Sequence, residues 1–425
     1  MATTVSTGTQ GVQFVPLPYV GDASQPIAKV RVDSIDLLRG IVMVIMMLDH
    51  TRDYFSAAQF QFDPTDLTRT SVALFLTRWI THYCAPVFFF LAGTGAYLRR
   101  ERGATPTELR WFLVSRGVWL IFLELTVVRA LISFDVLPAG TYVGQTIWAL
   151  GWSMIALAAV VNLPLRVIGG LGVAMVVGHN AFDGLQVRSC VRGEPVCSAS
   201  EVLLRVLHQP GWIVLGRADG PVFYSHYPLI PWIGVMAAGY VFGRLYTMDA
   251  DVRRRVLLGL GGGLIALFVV MRASNIYGDA STWSAQPTVA FTVLSFLNTT
   301  KYPPSLLYLC MTLGPAILLL AFLERDRRGR LGGALVTYGR VPLLFYLLQW
   351  LFAHGAAFAA YAIAGKPVDA LFRFHDTSPE ALAQAGFSLP VVYAFWIDGV
   401  LSLYPVCRWY AGVKRRRNDW WLGYL

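Results

Sequence analysis

Arg39 and His50 stand 11 positions apart in the stretch RVDSIDLLRGIVMVIMMLDHTRDYF at 31–55. At 3.6 residues per turn this is close to three whole turns, so one helix face carries both, about 16 Å apart along the axis. A guanidinium forks onto phosphate or carboxylate oxygens, and an imidazole moves protons near neutral pH. Asp49 and Asp53 flank the histidine. Asp53, three residues on, shares its face closely enough to orient the imidazole and stabilise its charged form. The methionines between (Met43, Met46, Met47) read more readily as packing than as a cofactor box.

Other groups could join this chemistry. His82, just before CAP, approaches His50 if the first two helices are antiparallel neighbours, and is a candidate second catalytic group. Two histidines and two carboxylates would also suit a metal, but the spacing matches no tight ligand motif and no metal is expected. Arg39, Arg116, Glu124, Arg129 and Arg340 are charges set among apolar residues, where an ionisable group defaults to a functional role. Arg39, with Asp36 beside it, and Arg116 fall where they could meet a phosphate-rich ligand. Glu124 reads equally as a packing partner of an arginine or as a substrate contact. Lys301 and Tyr302, in the KYPP segment, are further candidates for acceptor contact.

The elements that must position these groups are membrane helices. The 425 residues are 56% hydrophobic and 14% charged, with a mean hydropathy of +0.53. A soluble protein of this size needs a more polar surface, so an all-α polytopic bundle is expected. About ten transmembrane helices are legible, near 35–54, 71–98, 108–131, 143–161, 164–182, 225–246, 254–273, 304–323, 334–363 and 387–411. The first, 20 residues from Ile35 to Tyr54, spans about 30 Å as a helix. Residues 1–30 lack a continuous apolar core and a clear cleavage site, and read as a flexible cytoplasmic tail with no cleavable signal peptide. The expected divisions are that tail, a transmembrane acyltransferase domain at 31–411, and a basic, aromatic cytoplasmic tail at 412–425.

The net charge of +10, from 35 Lys+Arg against 25 Asp+Glu, first reads as topology and anionic lipid, with no nucleic acid partner. Arg99/Arg100/Arg102, Arg253–Arg255, Arg325/Arg327/Arg328/Arg330 and Lys414–Arg417 all fall on the side of Arg31. By the positive-inside rule that side, with both termini, is cytoplasmic. All seven histidines (His50, His82, His179, His208, His226, His354, His375) then lie at outer helix ends or in outer loops. The loop at 183–224 holds Cys190 and Cys197, which could be bridged if it faces an oxidising compartment. GLGGGL at 259–264 sits in an apolar run and suits close helix packing.

The order SIDLLRG…LDHTRDYF, RWITHYCAPVFFFLAG, NTTKYPPSLLYLCMTLGP and TYGRVPLLFYLLQWLFAH, closing on YPVCRWYAGVKRR…WWLGYL, resembles the bacterial branch of the heparan-alpha-glucosaminide N-acetyltransferase family across most of 31–425. That family sits within a wider transmembrane acyltransferase group. Many of its members carry an arginine near the start of helix 1 and a histidine 11 positions later, as Arg39 and His50 do here. The resemblance implies transfer of an acetyl or short acyl group from cytoplasmic acetyl-CoA to an extracytoplasmic sugar amine or hydroxyl. His50 would act as general base or as acyl carrier. The implied partners are acyl-CoA, a glycan or amino sugar, the lipid bilayer and a possible second copy of the chain. The expected location is the inner membrane, as a multi-pass protein. The alternative is a proton-coupled transporter or flippase using His50, Asp53 and Glu124 as a relay.

Overall fold

The computed structural model describes residues 32–134, 140–185, 187–188, 190–324, 329–372, 377–417 and 419–424. The tail expected at 1–30, Arg31, Arg325, Arg327, Arg328 and His375 lie outside these residues. Among the described residues, eight helical segments are long and apolar enough to cross a membrane. Two further helices occupy places read as spans. Helix α1 (Asp33–Phe55) is long enough but carries Asp33, Asp36, Arg39, Asp49, Arg52 and Asp53. Thr146–Val160 is apolar but only 15 residues long. The chain is therefore the all-α polytopic membrane protein that its hydropathy predicts.

The second span is not one straight helix. It runs as α2 (Val72–Ile80), a 3-10 turn at Thr81–Tyr83, and α3 (Cys84–Glu101). Pro86 explains the break: it has no N–H to give to the carbonyl four residues back, and its ring crowds that carbonyl. The carbonyl belongs to His82, and it accepts instead from the Tyr308 hydroxyl at 2.7 Å, as buried backbone in a membrane requires.

Helix α4 (Pro106–Leu123) opens on a capping box made by Thr105 and Glu108 and continues through a π turn at Glu124–Val128 into a last helical turn at Arg129–Ser133. Strand β1 (Thr141–Gly144) and α5 (Thr146–Val160) follow, then α6 (Leu165–Gly178). The segment read as a loop at 183–224 contains α7 (Ala199–Leu207), β2 (Gly211–Val214) and β3 (Val222–Ser225). The three strands form one small sheet in the order β1-β3-β2, with β1 parallel and β2 antiparallel to β3. Cys190 and Cys197 are joined by a disulfide in this segment. Long α8 (Leu229–Phe242) and α9 (Ala250–Ser274), short α10 (Val289–Leu297) and α11 (Leu306–Leu323) lead to the last third of the chain.

A single span was expected at 334–363. It is two helices, α12 (Arg330–Arg340) and α13 (Pro342–Ala364), because Pro342 can begin a helix but not continue one. α14 (Leu389–Arg416) completes the bundle. Helix α1 packs against α12, α13 and α14, which makes it the central helix. Its approach to α12 is backbone-close: a Cβ on Gly40 would lie 1.8 Å from the Leu335 oxygen, and one on Gly339 would lie 1.8 Å from the Asp36 oxygen. Within GLGGGL only Gly261 is used this way, against the Gly314 oxygen and Leu318; Gly259, Gly262 and Gly263 face open space. The C-terminal residues turn back onto α4, where Trp119 donates to the Tyr424 carbonyl at 3.2 Å and Arg116 donates to the Gly423 carbonyl.

Candidate functional site

The face of α1 that carries Arg39 and His50 lines two cavities, each of about 670 Å³. The inner one is bordered by Arg39, Arg99, Arg102, Arg116, Arg340 and Lys414, against the carboxylate of Glu108, with Met43, Leu91, Phe112 and Leu343 on its apolar walls. The outer one is bordered by Asp49, His50, Arg52, Asp53, Arg78, His226, Lys301 and Tyr302, with Trp212, Tyr224, Tyr227 and Trp350 among its aromatic lining. Met46, Phe88, Thr146 and Tyr346 line both. The two chambers therefore meet at these four side chains. Met43 and Met46 are wall residues, whereas Met47 is packed in the core with no exposure, so the methionine stripe divides between the two roles.

Arg39 is held at the mouth of the inner chamber by Asp36, 3.1 Å away, and by the Gly339 carbonyl at 3.1 Å. Asp36 also faces Arg340 at 3.5 Å. Asp36 lines neither cavity. It bridges the guanidinium groups of Arg39 and Arg340. The aligned cations, forked donors and apolar wall suit a long ligand with a polyanionic end.

At the outer end, His50 is 8% exposed and stacks on Trp350, with ring centroids 3.6 Å apart and planes 20° apart. Tyr346 approaches the imidazole edge-on at 6.0 Å. Tyr54, one turn on, stacks on His354, whose ring nitrogen Nδ1 meets the Leu131 carbonyl at 3.0 Å. Helix α13 thus braces the outer end of α1 through aromatic rings.

Asp49 is the hub of the charges around His50. It accepts from Arg52 at 2.8 Å, from Arg78 at 2.8 and 3.1 Å, and from the Thr81 hydroxyl at 2.9 Å. The 3-10 turn before Pro86 is what brings Thr81 to this carboxylate. Asp53 accepts from Arg52 at 2.9 Å, so its charge is shared with a guanidinium that is 2% exposed. Arg78 was not singled out in the sequence; a guanidinium inside the apolar run VALFLTRWI was the available signal.

Lys301 and Tyr302 both reach the outer chamber from the loop before α11, with the ammonium 5.2 Å from the Tyr302 ring centroid. His226, three residues before α8, lies 4.0 Å from the same ring. Burial, followed by the positive charges of Lys301 and Arg78, pushes the His226 imidazole down to about 3, so it stays neutral at physiological pH. Burial alone would raise the Tyr302 phenol, but Lys301 and Arg78 outweigh it and hold the phenol below its ordinary range.

Two expected site residues are elsewhere. His82 is 3% exposed and lines neither cavity; its ring lies 5.4 Å from Tyr308, behind the chamber wall. Glu124 lines neither cavity and meets no arginine among the described residues. Its carboxylate accepts from the backbone N–H groups of Ile147 and Trp148, at 2.9 and 3.1 Å. It therefore caps the N-terminus of α5, where unsatisfied donors and the helix dipole favour a negative charge. A helix-capping glutamate reached from another helix has no local sequence signature.

The model of the family described as "Heparan-alpha-glucosaminide N-acetyltransferase, catalytic" matches residues 31–277, more than half of the chain. No curated protein matches the sequence. The match begins at α1 and takes in the inner-chamber residues Arg39, Arg99, Arg102 and Arg116, together with the whole Asp49–Arg52–Arg78 cluster.

Proposed function

The chain belongs to the heparan-alpha-glucosaminide N-acetyltransferase family and is a transmembrane acetyltransferase; on that premise we propose that it moves an acetyl or short acyl group from cytoplasmic acyl-CoA to an extracytoplasmic sugar amine or hydroxyl, with His50 as general base. The observation that carries this reading is the pair of chambers meeting at Met46, Phe88, Thr146 and Tyr346. The inner chamber, with its six cations, suits the phosphates of CoA. Arg39 and His50 are about 16 Å apart along α1, a separation comparable to an extended pantetheine arm. The thioester would arrive at the constriction and the acceptor at the aromatic outer chamber, whose rings suit a sugar face.

In the transfer, the acceptor nitrogen or oxygen attacks the thioester carbonyl while the His50 imidazole takes its proton. The carbonyl carbon gains the C–N or C–O bond and loses the C–S bond, and the sulfur leaves as the CoA thiolate. Lys301, on the outer chamber wall, supplies positive charge for the oxyanion of the tetrahedral intermediate. Trp350 fixes the imidazole plane, and the Asp49–Arg52–Arg78 cluster fixes the helix turn that carries it.

The basic chamber faces the cytoplasm in this reading, which agrees with the positive-inside rule, and the Cys190–Cys197 disulfide then faces an oxidising compartment. Residence in an inner membrane is part of the same reading. The relay alternative loses support because Glu124 caps α5. The test is thiol release from acetyl-CoA by detergent-solubilised protein against a panel of amino sugars and glycans. Acceptor-dependent release that disappears in His50→Ala is expected. Equal release by both proteins would remove His50 from the reaction, and a chain that neither binds nor turns over acetyl-CoA would sink the proposal.

A further inference from the structure

Away from both chambers, the outer end of α6 gathers three groups that neither packing nor acetyl transfer explains. The helix tightens into a 3-10 turn at His179–Phe182, Asp183 follows, and His208 returns to the same point from the end of α7. His179 is 1% exposed and His208 2%. Each ring has one backbone carbonyl beside it, Pro304 at His179 and Phe182 at His208, and beyond these contacts the ring nitrogens make no hydrogen bond. A buried polar atom without a partner costs roughly 1–3 kcal/mol, so two such imidazoles side by side ask for a ligand.

The geometry identifies the ligand class. The two rings are 5.9 Å apart, His208 Nε2 is 3.5 Å from Asp183 Oδ1, and one donor atom from each of the three residues lies within 4.8 Å of the others. A tetrahedral zinc ion with bonds of about 2.0–2.1 Å sets its ligand atoms roughly 3.3 Å apart. An ion pair between His208 and Asp183 would use one nitrogen of His208 and leave the second nitrogen of His179 without a partner. A metal uses one nitrogen of each ring and one carboxylate oxygen. The other Asp183 oxygen is already held, by the Asn180 side-chain amide at 2.8 Å, which aims Oδ1 at the histidines. The carbonyls of Pro304 and Phe182 stand beside the two rings, where the remaining N–H of a metal-bound imidazole is commonly held. Two imidazoles with one carboxylate suit zinc, not the oxygen-only shells of magnesium and calcium.

We propose that His179, Asp183 and His208 form a zinc site with one open position, fastening α7 and the strand β2 that follows it to the end of α6. The proposal does not depend on acetyl transfer. Its consequence for the outer chamber is direct. Strand β2 begins three residues after His208 and leads through Trp212 to Tyr224 and His226 on the chamber wall. On the other side, Asn180 accepts from the Leu306 backbone at 2.9 Å, four residues from Tyr302. The metal would hold both walls in register.

The test uses the full-length chain in detergent, carrying an affinity tag without histidine. Elemental analysis should find about one zinc per chain in the wild type and less than about a tenth of that in His179→Leu and His208→Leu. Because either variant could misfold, a second measurement stands on the wild type alone: after chelation, added cobalt(II) should give the visible absorption of a tetrahedral complex, which zinc then abolishes. Chelation should also lower the melting temperature of the wild type but not of Asp183→Asn. A wild type without stoichiometric metal that gives no cobalt absorption would overturn the proposal, as would equal metal content in folded variants.

Discussion

The imidazole of His50 lies flat against the indole of Trp350, 3.6 Å between centroids, on the wall of the outer chamber. Nothing in the local sequence of either residue announces the pair, since they are 300 positions apart. It follows from α1 and α13 lying side by side. The stack makes Trp350 a positioning residue for the base. Trp350→Ala should lower kcat for acetyl transfer about 10²-fold with a smaller change in KM for acetyl-CoA, and Trp350→Phe should recover most of the loss. Steady-state kinetics of the three proteins check this.

The charges around Asp49 are a partly buried network, with the Asp49 and Arg78 side chains each 15% exposed and Arg52 2%. Removing Asp49 takes the carboxylate from Arg78 and Arg52 together, at a cost of about 3–5 kcal/mol. Asp49→Asn should lower the thermal midpoint in detergent sharply, and Arg78→Gln, which leaves Asp49 paired with Arg52, should lower it less. The double variant should be more stable than the sum of the single losses predicts.

In the inner chamber, Arg39 is held by Asp36 and the Gly339 carbonyl. Arg39→Gln and Arg116→Gln should raise KM for acetyl-CoA about tenfold or more while leaving kcat nearly unchanged, because both would act on binding and not on the reacting bond. Dephospho-CoA thioesters, poorer in anionic charge, should discriminate less between wild type and variants. Kinetics with both donors provide the comparison.

Most of the fold was legible because hydropathy reports spans directly. Ten apolar or amphipathic stretches were readable, and helices stand at each. What escaped was set by contacts between distant segments. The breaks at Thr81–Tyr83 and Val341 follow from Pro86 and Pro342, which were visible in the sequence. Whether a membrane helix kinks or stops at a proline depends on partners such as Tyr308, which were not. The small sheet escaped because four-residue strands carry almost no periodicity. For the site, the shared face of Arg39 and His50 was legible since one helix fixes their spacing. That His82, Glu124 and Asp36 line neither chamber was not, because residue type and depth alone do not say which way a side chain turns.

His226 gives a pH prediction. Its folded value, pushed down to about 3, lies below the ordinary value near 6.5 that it has when unfolded. The unfolded chain therefore binds this proton first as pH falls. The contribution is complete above about pH 6.5 and is lost on acidification toward the folded value. The thermal midpoint of the wild type should fall between pH 7 and pH 5, and His226→Gln should fall less across the same window.

Close packing at Gly40 gives a sharper structural test. Gly40→Ala puts a methyl where the Leu335 carbonyl stands, so α1 and α12 must separate. Overpacking of this kind costs roughly 1–3 kcal/mol. Because Arg39 is bonded to Gly339 across the same contact, the variant should lose acetyl-CoA affinity as well as stability. Calorimetric binding and a melting curve on one preparation measure both.

The central claim is that donor and acceptor enter from opposite sides and meet at His50. The most direct measurement uses proteoliposomes of one orientation, with labelled acetyl-CoA presented to the basic face and an amino sugar enclosed on the other. The account predicts that the acetylated sugar accumulates on the His50 side while free CoA stays on the Arg39 side, and that His50→Ala yields neither. Product and CoA released into the same compartment, or transfer that survives in the variant, would contradict it.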